Sequence, residues 1–236
     1  MERTTPSYAV PRTVDEAREI QRELQKKIVT RGTISRLRLV AGCDLSFVRS
    51  RRELVCGIIV FSFPRLEEKE RVWVTVPERF PYVPGFLAFR EGPAIMQAWT
   101  LLSRKPDVLI CDGHGIAHPR GVGIASHVGV LLDVPTIGVA KKKLYGNYRE
   151  PPQFEGGLSQ LLHPVSGRVI GAVLRTRRRV KPVFVSVGHR IGLSSAVRIV
   201  AACARGYRLP EPTRLADKWV GELRRALQAG HVPPAG

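Results

Sequence analysis

Val108-Leu109-Ile110-Cys111-Asp112 is a short apolar run closed by a carboxylate, followed 24 residues later by a second buried run, Thr136-Ile137-Gly138-Val139-Ala140. Runs this short and this apolar fit strands covered on both faces. A helical pattern over residues 87–104 precedes the first run. A glycine-rich loop over 113–123 follows it and leads into a helix over about 121–132.

Further upstream lie three strand-like segments. Residues 36–44 alternate Leu37, Leu39 and Ala41; residues 54–63 are an apolar run; residues 70–76 alternate Val72, Val74 and Val76. The link over 46–53 is short and holds Arg49, Arg51 and Arg52, and short links join antiparallel neighbours, so these three form a meander. Residues 80–85, Phe-Pro-Tyr-Val-Pro-Gly, form a stiff loop, because the prolines fix φ and remove N–H donors. Thr13-Val14-Asp15-Glu16 is a capping box that opens a helix over 14–29, apolar at Val14, Ala17, Ile20, Leu24 and Ile28. Towards the C-terminus, residues 146–160 read as an exposed excursion. Strands follow near 168–175 and 183–187, with Arg175, Arg177, Arg178, Arg179 and Lys181 at their turn. Helices over 193–204 and 213–228 close the chain, with Thr213 as the N-cap of the last. The order of elements predicts an α/β fold similar to the ribonuclease H-like class, a mixed β-sheet flanked by helices. Neither a repeat nor a low-complexity linker divides the chain. A single domain over 1–236 is expected, with a flexible arm over 1–12 and a flexible tail over 230–236.

Composition narrows the function. The chain has 236 residues, 44% hydrophobic and 25% charged, which excludes disorder as its main state. The net charge of +18 points to a polyanionic partner, nucleic acid first. Arg outnumbers Lys 29 to 9, and the guanidinium forks onto phosphate oxygens. The N-terminus does not read as a signal peptide, and the sequence has no apolar run of 18 residues. Cys43, Cys56, Cys111 and Cys203 match no zinc spacing and read as small buried side chains. A cytoplasmic monomer without a membrane partner is expected.

The acids carry the chemistry. Asp44 closes Val-Ala-Gly-Cys-Asp at 40–44 as Asp112 closes its own run. If those strands are neighbours, the two acids converge beyond the strand ends, where ligands bind in open α/β sheets. Two ionised carboxylates a few ångströms apart repel unless a cation lies between them, and oxygen-only donors suit Mg²⁺ or Mn²⁺. Glu91, at the start of the helix near residue 87, is a candidate third ligand. On spacing alone, Asp217 falls off the buried stripe of Leu215, Trp219, Leu223 and Leu227 and reads as a solvated flank residue. Lys141, just past the strand ending at Ala140, can reach into the same crevice and hold a phosphate. Gly121-x-Gly123-x-x-Ser126 lacks the third glycine of a dinucleotide loop. Among His114, His118 and His127, an acid–base or phosphate-binding role and a structural one are both open. So are the roles of wedge and of ordinary loop anchor for Tyr82.

The chain resembles the endonuclease V family over about residues 13–219. The resemblance rests on Gly-Cys-Asp-Leu-Ser-Phe at 42–47, Pro-Tyr-Val-Pro-Gly-Phe-Leu-Ala-Phe-Arg-Glu-Gly-Pro at 81–93, Asp-Gly-His-Gly-Ile-Ala-His-Pro-Arg-Gly at 112–121, Gly-Val-Ala-Lys at 138–141, and Arg-Leu-Pro-Glu-Pro-Thr-Arg-Leu-Ala-Asp at 208–217. It implies a metal-dependent endonuclease that hydrolyses the second phosphodiester bond 3′ to a deoxyinosine in single- or double-stranded DNA, leaving a 3′-hydroxyl and a 5′-phosphate. It also implies Asp44, Glu91 and Asp112 as ligands of Mg²⁺, with Mn²⁺ substituting, and Lys141 as the active-site lysine. Asp217 becomes a fourth candidate, at a position where some members carry His. The resemblance implies a strand-parting wedge at Pro81, Tyr82, Val83 and Pro84, and a base pocket around Gly85, Leu87, Gly113, His118, Gly123 and Ile124. The alternative is a nuclease of the same fold acting on junctions, hybrids or inosine-containing RNA.

Overall fold

The computed structural model describes residue 8 and residues 10–233. The arm and tail expected to be flexible fall partly outside these residues, at 1–7, 9 and 234–236. Among the described residues, nine strands form one mixed sheet: β1 (Leu39–Val48), β2 (Glu53–Ser62), β3 (Glu68–Pro77), β4 (Val108–Asp112), β5 (Thr136–Ala140), β6 (Asn147–Tyr148), β7 (Leu158–Leu162), β8 (Val169–Leu174) and β9 (Val183–His189). Their order is β3-β2-β1-β4-β5-β9-β8-β7-β6. β4 runs parallel to both β1 and β5, and every other pair is antiparallel.

Among the same residues, five α-helices flank the sheet: α1 (Val14–Lys27), α2 (Leu87–Leu101), α3 (Ile124–Leu132), α4 (Leu193–Ala202) and α5 (Glu211–Gln228). The two-residue period of a strand sorts its side chains into two cores. Ala41, Cys43, Leu109 and Cys111 pack with Ile95, Ala98 and Trp99 of α2 and with Ala125 and Val128 of α3. Val40, Val108, Ile110, Ile137 and Val139 pack on the opposite face with Ala196 and Val200 of α4. Val48 and Val55 meet Val220, Leu223 and Leu227 of α5 on that same face. All four cysteines are free and buried.

Several expected boundaries move. β1 does not stop at Asp44 but runs on to Val48, because β2 still pairs with it after β4 has ended. The link beyond it tightens into a 3₁₀ turn at Arg49–Arg51. The helix expected from 121 starts at Ile124, after Gly123. The excursion over 146–160 is mostly exposed but contributes β6 and the start of β7, two short strands at the sheet edge. Thr13 does cap α1, accepting from the Glu16 N–H at 3.1 Å; the Glu16 carboxylate reaches the Arg12 N–H rather than that of Thr13. Thr213 is not the N-cap of α5. The helix opens two residues earlier, after Pro210, and the buried Thr213 hydroxyl donates to the Pro210 carbonyl.

Candidate active site

Asp44 and Asp112 share a face because of the strand period. Cys43 and Cys111 are register partners on the α2–α3 side, so the next residue of each strand turns towards the α4–α5 side. The third acid arrives there on α5. Gly42 makes this approach feasible: a Cβ on it would lie 2.2 Å from the Pro212 carbonyl carbon and oxygen and 2.6 Å from the Thr213 nitrogen. The first turn of α5 therefore rests directly on the β1 backbone, and the next turn carries Asp217 to the other two aspartates. Asp44, Asp112 and Asp217 each offer a carboxylate oxygen, all within 4.8 Å of one another. The spacing of α5 alone missed this, since it reports which side chains are buried but not where an exposed flank lies. Lys141, at the end of β5, places its Nζ 2.7 Å from Asp112 and 3.4 Å from Asp217.

Glu91 lies outside this tight set of three. It sits in the second turn of α2, in the opposite layer of the fold. Burial raises its carboxyl to about 8, and the Asp44 charge adds to the shift, so it shares the field of the cluster. Burial, then the charges of Asp112 and Asp217, raise Asp44 to about 7. Asp112 is also raised, by burial, although its hydrogen bond to Lys141 opposes the shift. Burial pulls the Lys141 ammonium down, but the hydrogen bond and charge of Asp112, with Asp217 and Asp44, carry it above its ordinary value. Mutually repelling carboxylates with oxygen donors only are a donor set that fits a hard divalent cation.

This field sets a pH dependence. The folded-state values of Asp44 and Glu91, about 7 and about 8, lie above their unfolded values near 4. The folded chain therefore keeps protons that the unfolded chain has already released. Stability from these groups is fully present below about pH 4 and is lost as pH rises through 7 and 8. The histidines act in the opposite sense. Burial lowers His114 and His118 to about 4 and His127 to about 3, so their contribution is present above pH 6.5 and is lost as pH falls towards those values. Melting of the protein in EDTA should accordingly show its midpoint falling between pH 6 and 9, by on the order of a few kcal/mol in stability, with divalent cation flattening the fall. A midpoint that rises over that range in EDTA would contradict the carboxylate assignments.

A cavity of about 490 Å³ adjoins the acids. Residues 82–85, Leu87, Gly113, His118, Gly123 and Ile124 line it, as does Lys141. Pro81 faces a neighbouring hollow formed with residues 10–14. Tyr82 is 65% exposed and stands at the rim, with the Arg90 guanidinium 5.9 Å from its ring centre. The sequence reading missed Ala88, Val122 and Leu144 of the lining, which carry no chemical signature. The histidines of the glycine-rich loop are buried. The Nδ1 of His118 accepts from the Arg120 N–H, so its Nε2 carries the proton and donates to the Gly85 carbonyl. His127 stacks on Tyr8, whose hydroxyl donates to the Ala88 carbonyl at 2.6 Å and lies 3.0 Å from His127 Nε2. His189 accepts from the Val29 N–H and lies 3.4 Å from the Asp133 carboxylate, at the end of β9 where it pairs with Thr136 at the start of β5. Arg175, grouped by sequence with the basic turn, is only 2% exposed. It donates to the carbonyls of Pro151, Pro152 and Val180 and to the Glu150 carboxylate. The exposed members of that turn are Arg177, Arg178, Arg179 and Lys181.

The sequence model of the endonuclease V family matches residues 22–218. The endonuclease V of Rippkaea orientalis is 46% identical over 212 residues, covering 90% of this chain and 92% of that protein. The crystal structure of endonuclease V from Streptomyces avermitilis superposes with a TM-score of 0.87 at 39% identity, over 94% of this chain and 96% of that one. Ciona intestinalis endonuclease V, crystallised with a 24mer DNA containing an inosine followed by a ribo-adenosine, superposes with a TM-score of 0.80 at 29% identity, over 91% of this chain and 98% of that one. No helix among the described residues is long and apolar enough to cross a membrane.

Proposed function

The chain belongs to the endonuclease V family, and we propose that it is a DNA repair nuclease that nicks the second phosphodiester bond 3′ to a deoxyinosine. The observation that carries this reading is the junction of two features. The acidic cluster and the cavity meet at Gly113, which follows Asp112, and at Lys141, which pairs with Asp112 and lines the cavity. A base turned out of its stack into the cavity would leave its own backbone lying along the acids. Deoxyinosine pairs less well than adenine, so turning it out costs less, which itself favours the lesion.

Asp44, Asp112 and Asp217 would hold Mg²⁺, or Mn²⁺ in its place, and Glu91 would reach the same centre from α2. A divalent cation held there would supply acidification of an attacking water and charge neutralisation at the leaving 3′-oxygen. Lys141 meets the phosphate with an ammonium kept charged by its acidic neighbours. Tyr82, on the stiff loop between Pro81 and Pro84, fills the gap left in the helix by the displaced base. The exposed Arg49, Arg51 and Arg52 of the β1–β2 turn, and Arg177, Arg178, Arg179 and Lys181 of the β8–β9 turn, stand at the same end of the sheet as the acids. They would hold the backbone on either side without reading sequence.

The test is cleavage of two labelled duplexes that differ in one deoxyinosine for deoxyadenosine. With Mg²⁺, the deoxyinosine strand should be cut at least about 100-fold faster, as expected from unpairing energies of a few kcal/mol. Equal rates would remove the lesion from the reading. A faster cut in junctions or RNA–DNA hybrids would replace it.

A further inference from the structure

Gln21 breaks the pattern of the helix that carries it. It occupies the buried stripe of α1 between Ala17 and Leu24, and it is 1% exposed. A buried primary amide needs partners for two donors and an acceptor. Its Nε2 donates to the Gly85 carbonyl at 3.0 Å and to the Val122 carbonyl at 3.3 Å. Its Oε1 accepts from the Arg120 Nε–H. Arg120 in turn donates from Nη2 to the Gly85 carbonyl at 2.6 Å, and His118 Nε2 lies 3.1 Å from the same oxygen. Three side chains from two separate segments thus converge on one backbone oxygen. The Arg120 guanidinium carbon also lies over the Phe86 ring, 4.0 Å from its centre.

That oxygen belongs to the lip of the cavity. Gly85 has φ +80°, in the left-handed region, and it joins the Pro81–Pro84 loop to the first turn of α2. The direction of its carbonyl sets the plane of the 85–86 peptide, and with it the entry of the chain into α2. Leu87 and Ala88, the first residues of that helix, line the cavity. The first N–H groups of a helix have no partner inside it and are available to an acceptor.

We propose that Gln21 is a positioning residue for recognition of the flipped base, acting through Arg120 and the Gly85 carbonyl to hold the cavity lip. This rests on the reading of the cavity as the base pocket. The geometry separates this role from simple packing. Gln21→Glu preserves shape and gives Arg120 a stronger acceptor, but a carboxylate cannot donate to Gly85 or Val122. A packing or bridging role predicts that Q21E is tolerated. The positioning role predicts that it fails at the lip.

The experiment measures kcat and KM of the full chain on deoxyinosine and deoxyadenosine duplexes for the wild type, Q21E and Gln21→Leu, with the Mg²⁺ concentration for half-maximal rate as a control. Circular dichroism melting confirms that each variant is folded at the assay temperature. Q21E should raise KM for the deoxyinosine duplex about 10-fold, as expected for the loss of the buried donations to the Gly85 and Val122 carbonyls. It should also cut the preference over deoxyadenosine by a similar factor, leaving the Mg²⁺ requirement unchanged. If Q21E does not fold, Q21L carries the same expectation. Wild-type KM and preference in a folded variant would overturn the proposal. A wild type that shows no preference for deoxyinosine would overturn the base-pocket reading, and the proposal with it.

Discussion

Asp112→Asn should lose nicking by at least about 10³-fold while still binding a deoxyinosine duplex. Asp112 is the central member of the site: it ends β4, lies within 4.8 Å of the oxygens of Asp44 and Asp217, and holds Lys141 at 2.7 Å. The amide keeps the shape but removes one negative charge from the donor set and the strong partner from Lys141. Losing several kcal/mol of transition-state stabilisation at about 1.4 kcal/mol per tenfold gives the stated factor. The loss should not come from unfolding. Burial already raises the Asp112 carboxyl above its ordinary value, so in EDTA the variant should melt at or above the wild-type temperature. The measurement pairs single-turnover nicking with a gel-shift assay and a melt in EDTA. Wild-type turnover by the folded variant would remove Asp112 from the chemistry.

Gly42→Ala should be severely damaging for a single added methyl. The added Cβ would sit 2.2 Å from backbone atoms of Pro212, which no rotamer change can relieve. Overpacking of this kind costs about 1–3 kcal/mol, and more where the obstacle is backbone. Either β1 or the first turn of α5 must move, and α5 carries Asp217. Melting temperature should therefore fall, and nicking at temperatures where the variant is still folded should fall at least about 10-fold through displacement of the third acid. Gly57→Ala is the contrast. Its Cβ would meet side-chain atoms of Val220 and Trp219 at 2.8 and 3.0 Å, which can give way. A G42A variant as stable and active as G57A would contradict the claim that close contact at Gly42 places Asp217.

Much of this arrangement is legible in the chain. Val108 to Cys111 reads as a strand buried on both faces, which puts the acid that ends it at the sheet end. The motif at 81–93 marked the loop and the helix that together wall the cavity. Other parts are set by tertiary contact. Asp217 reads as solvated because helical spacing reports the face of α5, while its place over β1 depends on the seating of Pro212 on Gly42. Arg175 looks like its exposed neighbours Arg177 and Arg178, yet four oxygens from the 150–152 and 180 segments bury it. β6 and β7 were missed because edge strands with one solvated face are polar and short. Gln21 was the detectable miss, since a polar side chain between Ala17 and Leu24 sits where the stripe calls for an apolar one.

The most direct test of the metal nuclease beside a base pocket is the position of the nick, mapped to the nucleotide on a labelled duplex with one deoxyinosine, in Mg²⁺ and in EDTA. The account predicts a single cut at the second phosphodiester 3′ to the lesion, ending in a 3′-hydroxyl and a 5′-phosphate, and none in EDTA. Cutting that persists in EDTA, or that falls at positions unrelated to the deoxyinosine, would contradict it.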